Sequence, residues 1–246
     1  MKVSLIDYTG MGSNDPARHA ANLLVFAKAT RLTMSPGLMK EISDRPWEEI
    51  ETELEYIAGT IAGSHEFVNY NFLIEGVTRA FTHQFVRTRT ASFAQQTMRV
   101  LNVDGWEYGT GPTIEEDPFL KKIYDITMKT IASSYNDLIE CGASIEDARG
   151  VLPTNILTNI VSGFNLRNLE ELFRKRASTR TQGEYRLVLA AMQECVEEVH
   201  PWTSMFFGRD FDKAASDLEQ SIISLGLGKE KTTLLIKLID QMRTKV

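Results

Sequence analysis

The chain has 246 residues, which at roughly 100–200 residues per domain allows one large domain or two small ones. Its 43% apolar and 24% charged residues exclude wholesale disorder, a collagen-like repeat and a pure coiled coil. Lys+Arg 27 against Asp+Glu 33 leaves a net charge of −6, which argues against a broad basic surface for nucleic acid or an anionic membrane. No stretch approaches the ~18 uninterrupted apolar residues of a membrane helix, and Asp7 interrupts the start before a signal-type apolar segment forms. The expectation is a cytoplasmic protein with no membrane or nucleic-acid partner. No repeat or low-complexity tract appears, so residues 1–246 read as a single domain.

Residues 2–8 alternate as a short strand, and 47–62 read as a helix with Pro46 near its start and acids in its first turns. Residues 66–74 (EFVNYNFLI) read as a strand, followed by a helix over about 76–86 carrying Val77, Ala80, Phe81, Gln84 and Phe85 at helical spacing. Residues 87–96 show no clear period, 97–103 read as strand, and DGWEYGTGPTIEEDP is a punctuated loop. A long amphipathic helix covers 118–141 and ends at Gly142, and Ser144 with Asp147 resembles a helix cap. Residues 154–163 fit strand or helix equally. Helices near 165–180, 183–199, 213–225 and 228–244 complete an α+β fold with helices in the majority.

Cys141 and Cys195 lie far apart in helical segments, so they read as buried free thiols rather than a disulfide or metal pair. His19, His65, His83 and His200 lack ligand spacing, and no metal site is expected. The informative feature is an absence. From Gly76 to Val103 there is no Asp, Glu or Lys, yet there are four arginines, Arg79, Arg87, Arg89 and Arg99, with His83. At the average acid frequency roughly four acids would fall there. Arginines two apart at a helix end suit the fork geometry of phosphate recognition, and hydroxyls and amides (Thr88, Thr90, Ser92, Gln95, Gln96, Thr97) interleave them. In an extended segment Thr97 and Arg99 would share a face. A second cluster, Arg167, Arg174, Lys175, Arg176, Arg180 and Arg186, lies in 165–186, where Glu170, Glu171 and Glu184 can neutralise several as helix-surface pairs. These residues point to a phosphate- or nucleotide-binding protein without a G-x-x-x-x-G-K-[ST] or G-x-G-x-x-G fingerprint.

The segment THQFVRTRTASFAQQTMR resembles the signature of flavin-dependent thymidylate synthases, Arg-His-Arg followed after seven residues by Ser. IEGVTRAFTHQ, EDARGVLPTN and NLRNLEELFRKRASTRTQGEYR resemble the same family in the same order, so the likeness runs over roughly residues 66–200. The resemblance implies an enzyme with an α+β fold of helices plus a small, mostly antiparallel sheet. It also implies a homotetramer with active sites shared between subunits. FAD is the implied cofactor, with NADPH and methylenetetrahydrofolate as co-substrates, for conversion of dUMP to dTMP. It implies that Gln84, Arg87, Gln95, Gln96, Thr97, Arg99 and Arg149 hold the nucleotide. Arg176 would stabilise negative charge on N3 and O4 of the pyrimidine, which makes it the catalytic candidate. Arg87, Thr88, Arg89, Gln95, Asn165, Arg167 and Arg180 would border the flavin. The chain departs from the family pattern at Thr88 (usually His), Thr97 (usually Ser), Ile61 to Gly63 (usually His-x-Ser/Thr, with His65 nearby), Arg180 (often His) and Glu171 (often Asn). These departures leave open dCMP methylation, hydroxymethylation of dUMP or dCMP, and a nucleotide-binding protein without catalysis.

Overall fold

The strand Asn69–Thr78 (β2) alternates large apolar residues on one side, Tyr70, Phe72 and Ile74, with Asn71, Leu73 and Glu75 on the other, so one face of any sheet it joins must be buried. A computed structural model, which describes residues 1–60, 62–99, 105–176, 181–207, 218–226 and 228–243, places β2 inside a four-stranded antiparallel sheet of order β1-β2-β4-β3. Its partners are Lys2–Tyr8 (β1), Ser92–Gln95 (β3) and Leu157–Asn165 (β4). The β2–β4 ladder runs from Asn69 opposite Asn165 to Thr78 opposite Leu157.

The helices are Pro16–Ala29 (α1), Leu38–Asp44 (α2), Trp47–Ala58 (α3), Arg79–Phe85 (α4), Pro112–Glu115 (α5), Pro118–Glu140 (α6), Ile145–Ala148 (α7), Leu166–Arg176 (α8) and Gly183–Val199 (α9). Residues 218–224 (α10) and Lys229–Arg243 (α11) are helical beyond them. The buried face of the sheet meets α1, α3, α4, α8 and α9 in one core, with Leu24, Ile50, Leu54, Phe72, Phe81, Phe85, Ile160, Leu169, Tyr185 and Met192 among its members. The opposite face is open: Leu73, Ala94, Gln96, Asn159 and Val161 line a shallow groove there. No helix among the described residues is long and apolar enough to cross a membrane.

Strand β2 outlasts its expected end because a bulge between Ile74 and Val77 lets it continue, with Gly76 at φ +64° and its amide bonded to Asn159 Oδ1 at 3.0 Å. Helix α4 therefore begins at Arg79 rather than near 76, capped by the Thr78 hydroxyl on the Phe81 amide at 3.1 Å. The strand expected over 97–103 is replaced by β3 at 92–95: residues 97–99 are irregular, and 100–103 lie outside the described residues. The ambiguous 154–163 segment supplies β4, because Thr158, Ile160, Ser162 and Phe164 alternate into the core. The helices at 47–58, 118–140 and 183–199 and the Ser144 cap match expectation closely, whereas α1 and α2 had no counterpart. Cys141, the C-cap residue of α6, is exposed and not buried. Cys195 is half-buried with its thiol on the Val3 carbonyl at 3.7 Å, and burial raises its pKa.

Two buried groups form the base of the core. The Tyr70 hydroxyl and His200 Nδ1 are hydrogen-bonded at 2.8 Å, and burial raises the tyrosine pKa while pushing His200 down to about 4. His200 is thus neutral when folded, whereas in the unfolded chain it takes up a proton below about pH 6.5. Between those values the unfolded state binds more protons, so stability falls with pH, by about 2 kcal/mol from pH 7 to pH 5. Urea midpoints at the two pH values measure this fall, and His200→Asn should lack that part of the slope. Gly109 presses against the α4 cap: a Cβ there would lie 2.6 Å from Thr78 Cγ2. Gly109→Ala should cost about 1–3 kcal/mol by overpacking, read in the same titrations.

Candidate active site

The first-turn amides of α4 are all used within the protein. Thr78 N–H donates to Glu184 Oε1 (2.8 Å), Arg79 N–H to the Ile156 carbonyl (3.1 Å), Ala80 N–H to the Thr154 carbonyl (2.7 Å) and Phe81 N–H to Thr78 Oγ1. An anion at this end must therefore be met by side chains. Arg79 Nη1 donates to the Gln96 carbonyl at 3.3 Å, and Gln96 N–H to the Asn159 carbonyl at 3.1 Å. Burial lowers the Arg79 pKa, and the nearby Arg149 guanidinium lowers it further, so the two cations face one another. Arg149 Nε donates to the Glu146 carbonyl at 3.1 Å, and the Glu146 carboxylate lies 3.9 Å from Arg149 Nη2 and 4.0 Å from Arg99 Nε. Thr97 Oγ1 accepts from the Arg99 amide at 3.1 Å. Two guanidinium groups, Arg99 and Arg149, thus share one half-exposed carboxylate, with Arg79 nearby, and pairs this long and this exposed contribute about 0–1 kcal/mol each. The cluster keeps its positive charge.

A second cluster forms where α4 runs out. Arg87 and Arg89 are exposed, with no ion pair among the described residues, while Thr88 turns inward. Arg176, at the end of α8, lies over the Tyr185 ring with its guanidinium carbon 5.1 Å from the centroid. The buried Tyr185 hydroxyl has no well-aligned hydrogen-bond partner, and its nearest polar neighbours are Thr88 and Arg176. Burial raises its pKa and those two groups oppose the rise. Asn165 caps α8 by accepting from the Asn168 amide at 2.9 Å, and Asn168 Nδ2 donates to the Thr90 carbonyl at 2.7 Å, tying α8 to the basic loop. Arg167 is engaged with Glu66 (2.5 Å) and Glu171 (3.7 Å), and the Glu171 pKa is lowered chiefly by its hydrogen bond to Lys175, then by charge.

The residues expected around the nucleotide and the flavin therefore separate. Arg99, Arg149, Thr97 and the Gln96 carbonyl gather at the Leu157 end of the sheet, Arg87, Thr88, Arg89, Asn165 and Arg167 lie toward Asn165, and Arg176 rests on Tyr185 at the far end of α8. From Asn159 to Asn165 β4 covers about 20 Å. Gln84, on α4, donates to the side chain of Gln182, the N-cap residue of α9, at 3.0 Å, and Gln95 turns to Thr82 Oγ1 on α4 at 2.8 Å, while Gln96 lines the open face. Arg180 and Ile61 lie outside the described residues. His65 is fully buried, with Nδ1 3.1 Å from Glu170 Oε2 and its ring edge-on to Phe206. Glu170 and Glu184 thus serve a histidine and a helix cap, and only Glu171 acts as the expected surface pair. Arg79 stands in the arginine-rich window but was not among the expected nucleotide ligands. Tyr185 reads from sequence only as a core aromatic.

The chain matches the family model described as thymidylate synthase complementing protein over residues 5–202. It is 31% identical over 219 residues to the flavin-dependent thymidylate synthase of Clostridium tetani, covering 82% of this chain and 84% of that protein. The same name belongs to a Sulfolobus acidocaldarius protein, 34% identical over 208 residues (82% and 74% covered). A Nitratidesulfovibrio vulgaris protein of that name is 36% identical over 167 residues (62% and 68% covered). With the four-stranded antiparallel sheet, the arginine clusters and a match spanning most of its length, the chain belongs to the thymidylate synthase complementing protein family of enzymes.

Proposed function

We propose that this enzyme is a cytoplasmic flavin-dependent thymidylate synthase: it transfers a one-carbon unit from methylenetetrahydrofolate to C5 of dUMP and reduces it to the methyl group of dTMP. FAD is the cofactor and NADPH restores its reduced form. The observation that carries this reading is that, among the described residues, the arginines of both clusters outnumber the acids paired with them in a chain of net charge −6. The names of the relatives favour it.

Arg99 and Arg149, with Arg79, take the phosphate, exchanging the loosely held Glu146 for a dianion with fork geometry. Arg176 lies against the pyrimidine, where its charge stabilises the negative charge that develops on N3 and O4 and makes C5 the better carbon nucleophile. Its stacking on Tyr185 orients the guanidinium plane before substrate arrives. Gln84, Arg87, Gln95, Gln96 and Thr97 complete the nucleotide contacts.

The residues fit a flavin. Arg87 and Arg89 are exposed cations with no acid of their own, and the buried Tyr185 hydroxyl lacks a well-placed partner beside Thr88. Arg87, Thr88, Arg89, Gln95, Asn165, Arg167 and Arg180 would hold it, Arg167 by giving up Glu66 or Glu171. When bound, the flavin supplies the reducing hydride.

The enzyme assembles as a homotetramer with active sites shared between subunits, as its resemblance to the family implies. Helix α6 offers a surface for such assembly, since Phe119, Leu120, Ile123 and Ile126 are exposed along it. A second reading, dCMP methylation or hydroxymethylation, is favoured by Thr88 standing where the signature has an imidazole. Arg176 speaks for uracil, whose N3 carries a proton that cytosine lacks.

Purified protein given dUMP, methylenetetrahydrofolate, FAD and NADPH should form dTMP. A product heavier by one oxygen, or product from dCMP alone, selects the second reading, and nucleotide binding without turnover removes both. Arg176→Ala should lower kcat about 10²–10³-fold. Arg149→Ala should weaken dUMP binding about tenfold while leaving unphosphorylated deoxyuridine unaffected, as read by titration calorimetry.

A further inference from the structure

Glu184 in the first turn of α9 makes no ion pair among the described residues, although arginines surround it in sequence. Its carboxylate instead accepts from both donors of Thr78, the amide at 2.8 Å and the hydroxyl at 2.5 Å. Thr78 is the last residue of β2 and the cap of α4, and the next residue, Arg79, belongs to the phosphate cluster. Within one turn of Glu184, Gln182 accepts from Gln84 and Tyr185 packs on Phe81 and Phe85, lies beside Thr88 and carries Arg176 on its ring. The start of α9 therefore grips α4 at its cap, its middle and its last turn.

Of these contacts only the Glu184 pair is charge-assisted and bidentate, so it fixes direction as well as distance. A packed aromatic lets α4 rotate or slide a little, whereas two hydrogen bonds into one carboxylate do not. We propose that Glu184 is a positioning residue for the nucleotide site, registering the Arg79 end of α4 against the helix that carries Tyr185 and, through it, Arg176. This rests on the proposed assignment of the Arg79 cluster and of Arg176 to the nucleotide. Glu184 touches no reacting atom in this scheme. Its effect passes through Thr78 and the placement of Arg79 and Gln84.

Glu184→Ala and Glu184→Gln separate positioning from mere support of the fold. The amide oxygen of Gln can still accept the Thr78 N–H, and its NH₂ can donate to the hydroxyl, so Glu184→Gln should keep KM for dUMP within about threefold of wild type. Glu184→Ala should raise KM for dUMP about tenfold or more, with a smaller change in KM for NADPH, and the Thr78–Phe81 amides should exchange with solvent at least about tenfold faster. An unchanged dUMP KM in Glu184→Ala would overturn the proposal. So would a loss in Glu184→Gln as large as in Glu184→Ala, or equal rises in both KM values together with a matching fall in melting temperature. Wild-type protein that binds no dUMP would overturn the nucleotide assignment itself. Hydrogen exchange tells that failure from failure of the clamp, because it reads the Thr78 contacts without any ligand.

Discussion

The antiparallel ladder between β2 and β4 is the constraint from which the site follows. It sets Asn69 opposite Asn165 and Thr78 opposite Leu157, so the two segments that leave these strands, α4 after Thr78 and α8 after Asn165, start from opposite ends of the sheet. Helix α4 then runs back across the buried face, and its basic loop meets the start of α8 through the Asn168 bond to Thr90. A one-residue slip would exchange Tyr70, Phe72 and Ile74 for Asn71, Leu73 and Glu75 on the core side, so burial holds the register. Placement of the arginines is thus inherited from hydrophobic patterning some distance away in sequence.

Charge within this frame is distributed by what each acid is occupied with. The chain carries more acids than bases, yet the acids nearest the clusters are committed: Glu184 to Thr78, Glu170 to His65, Glu171 chiefly to Lys175. Among the described residues Glu146 stands between Arg99 and Arg149, at distances where solvent screens most of the attraction, and Glu66 pairs with Arg167. Acids that are hydrogen-bonded elsewhere cannot swing over to neutralise an arginine, and local positive potential survives in a protein of net negative charge.

Elements with a strong single period were legible in the sequence. The α3, α6 and α9 stretches carry long apolar stripes with recognisable ends, and they lie where the pattern puts them. The errors came where two periods compete. Around Gly76 a bulge extends β2 into what reads as a helix start, and β3 is a four-residue edge strand whose half-exposed Phe93 and Gln95 give too short an alternation to recognise. The site was legible as composition, since the acid-free window announces Arg79, Arg87, Arg89 and Arg99, but not as geometry. Nothing local tells that Gln95 turns to Thr82 while Gln96 turns to the open face, or that Tyr185 will carry Arg176. Those facts depend on contacts between residues tens of positions apart.

The departures from the family signature are arranged in a way that spares the base-polarising group. Thr88 is smaller than an imidazole, but its hydroxyl still lies beside Tyr185, so the Tyr185 ring and the Arg176 that rests on it keep a polar neighbour on that side. Thr97 retains a hydroxyl and uses it on the Arg99 amide, a contact a serine would make equally. His65 faces Glu170 and Phe206 inside the core, which disqualifies it as a substitute ligand for anything bound at the surface. What the substitutions change is therefore the rim where Arg87 and Arg89 are exposed. What they leave intact is the stacked guanidinium and the helix register behind it.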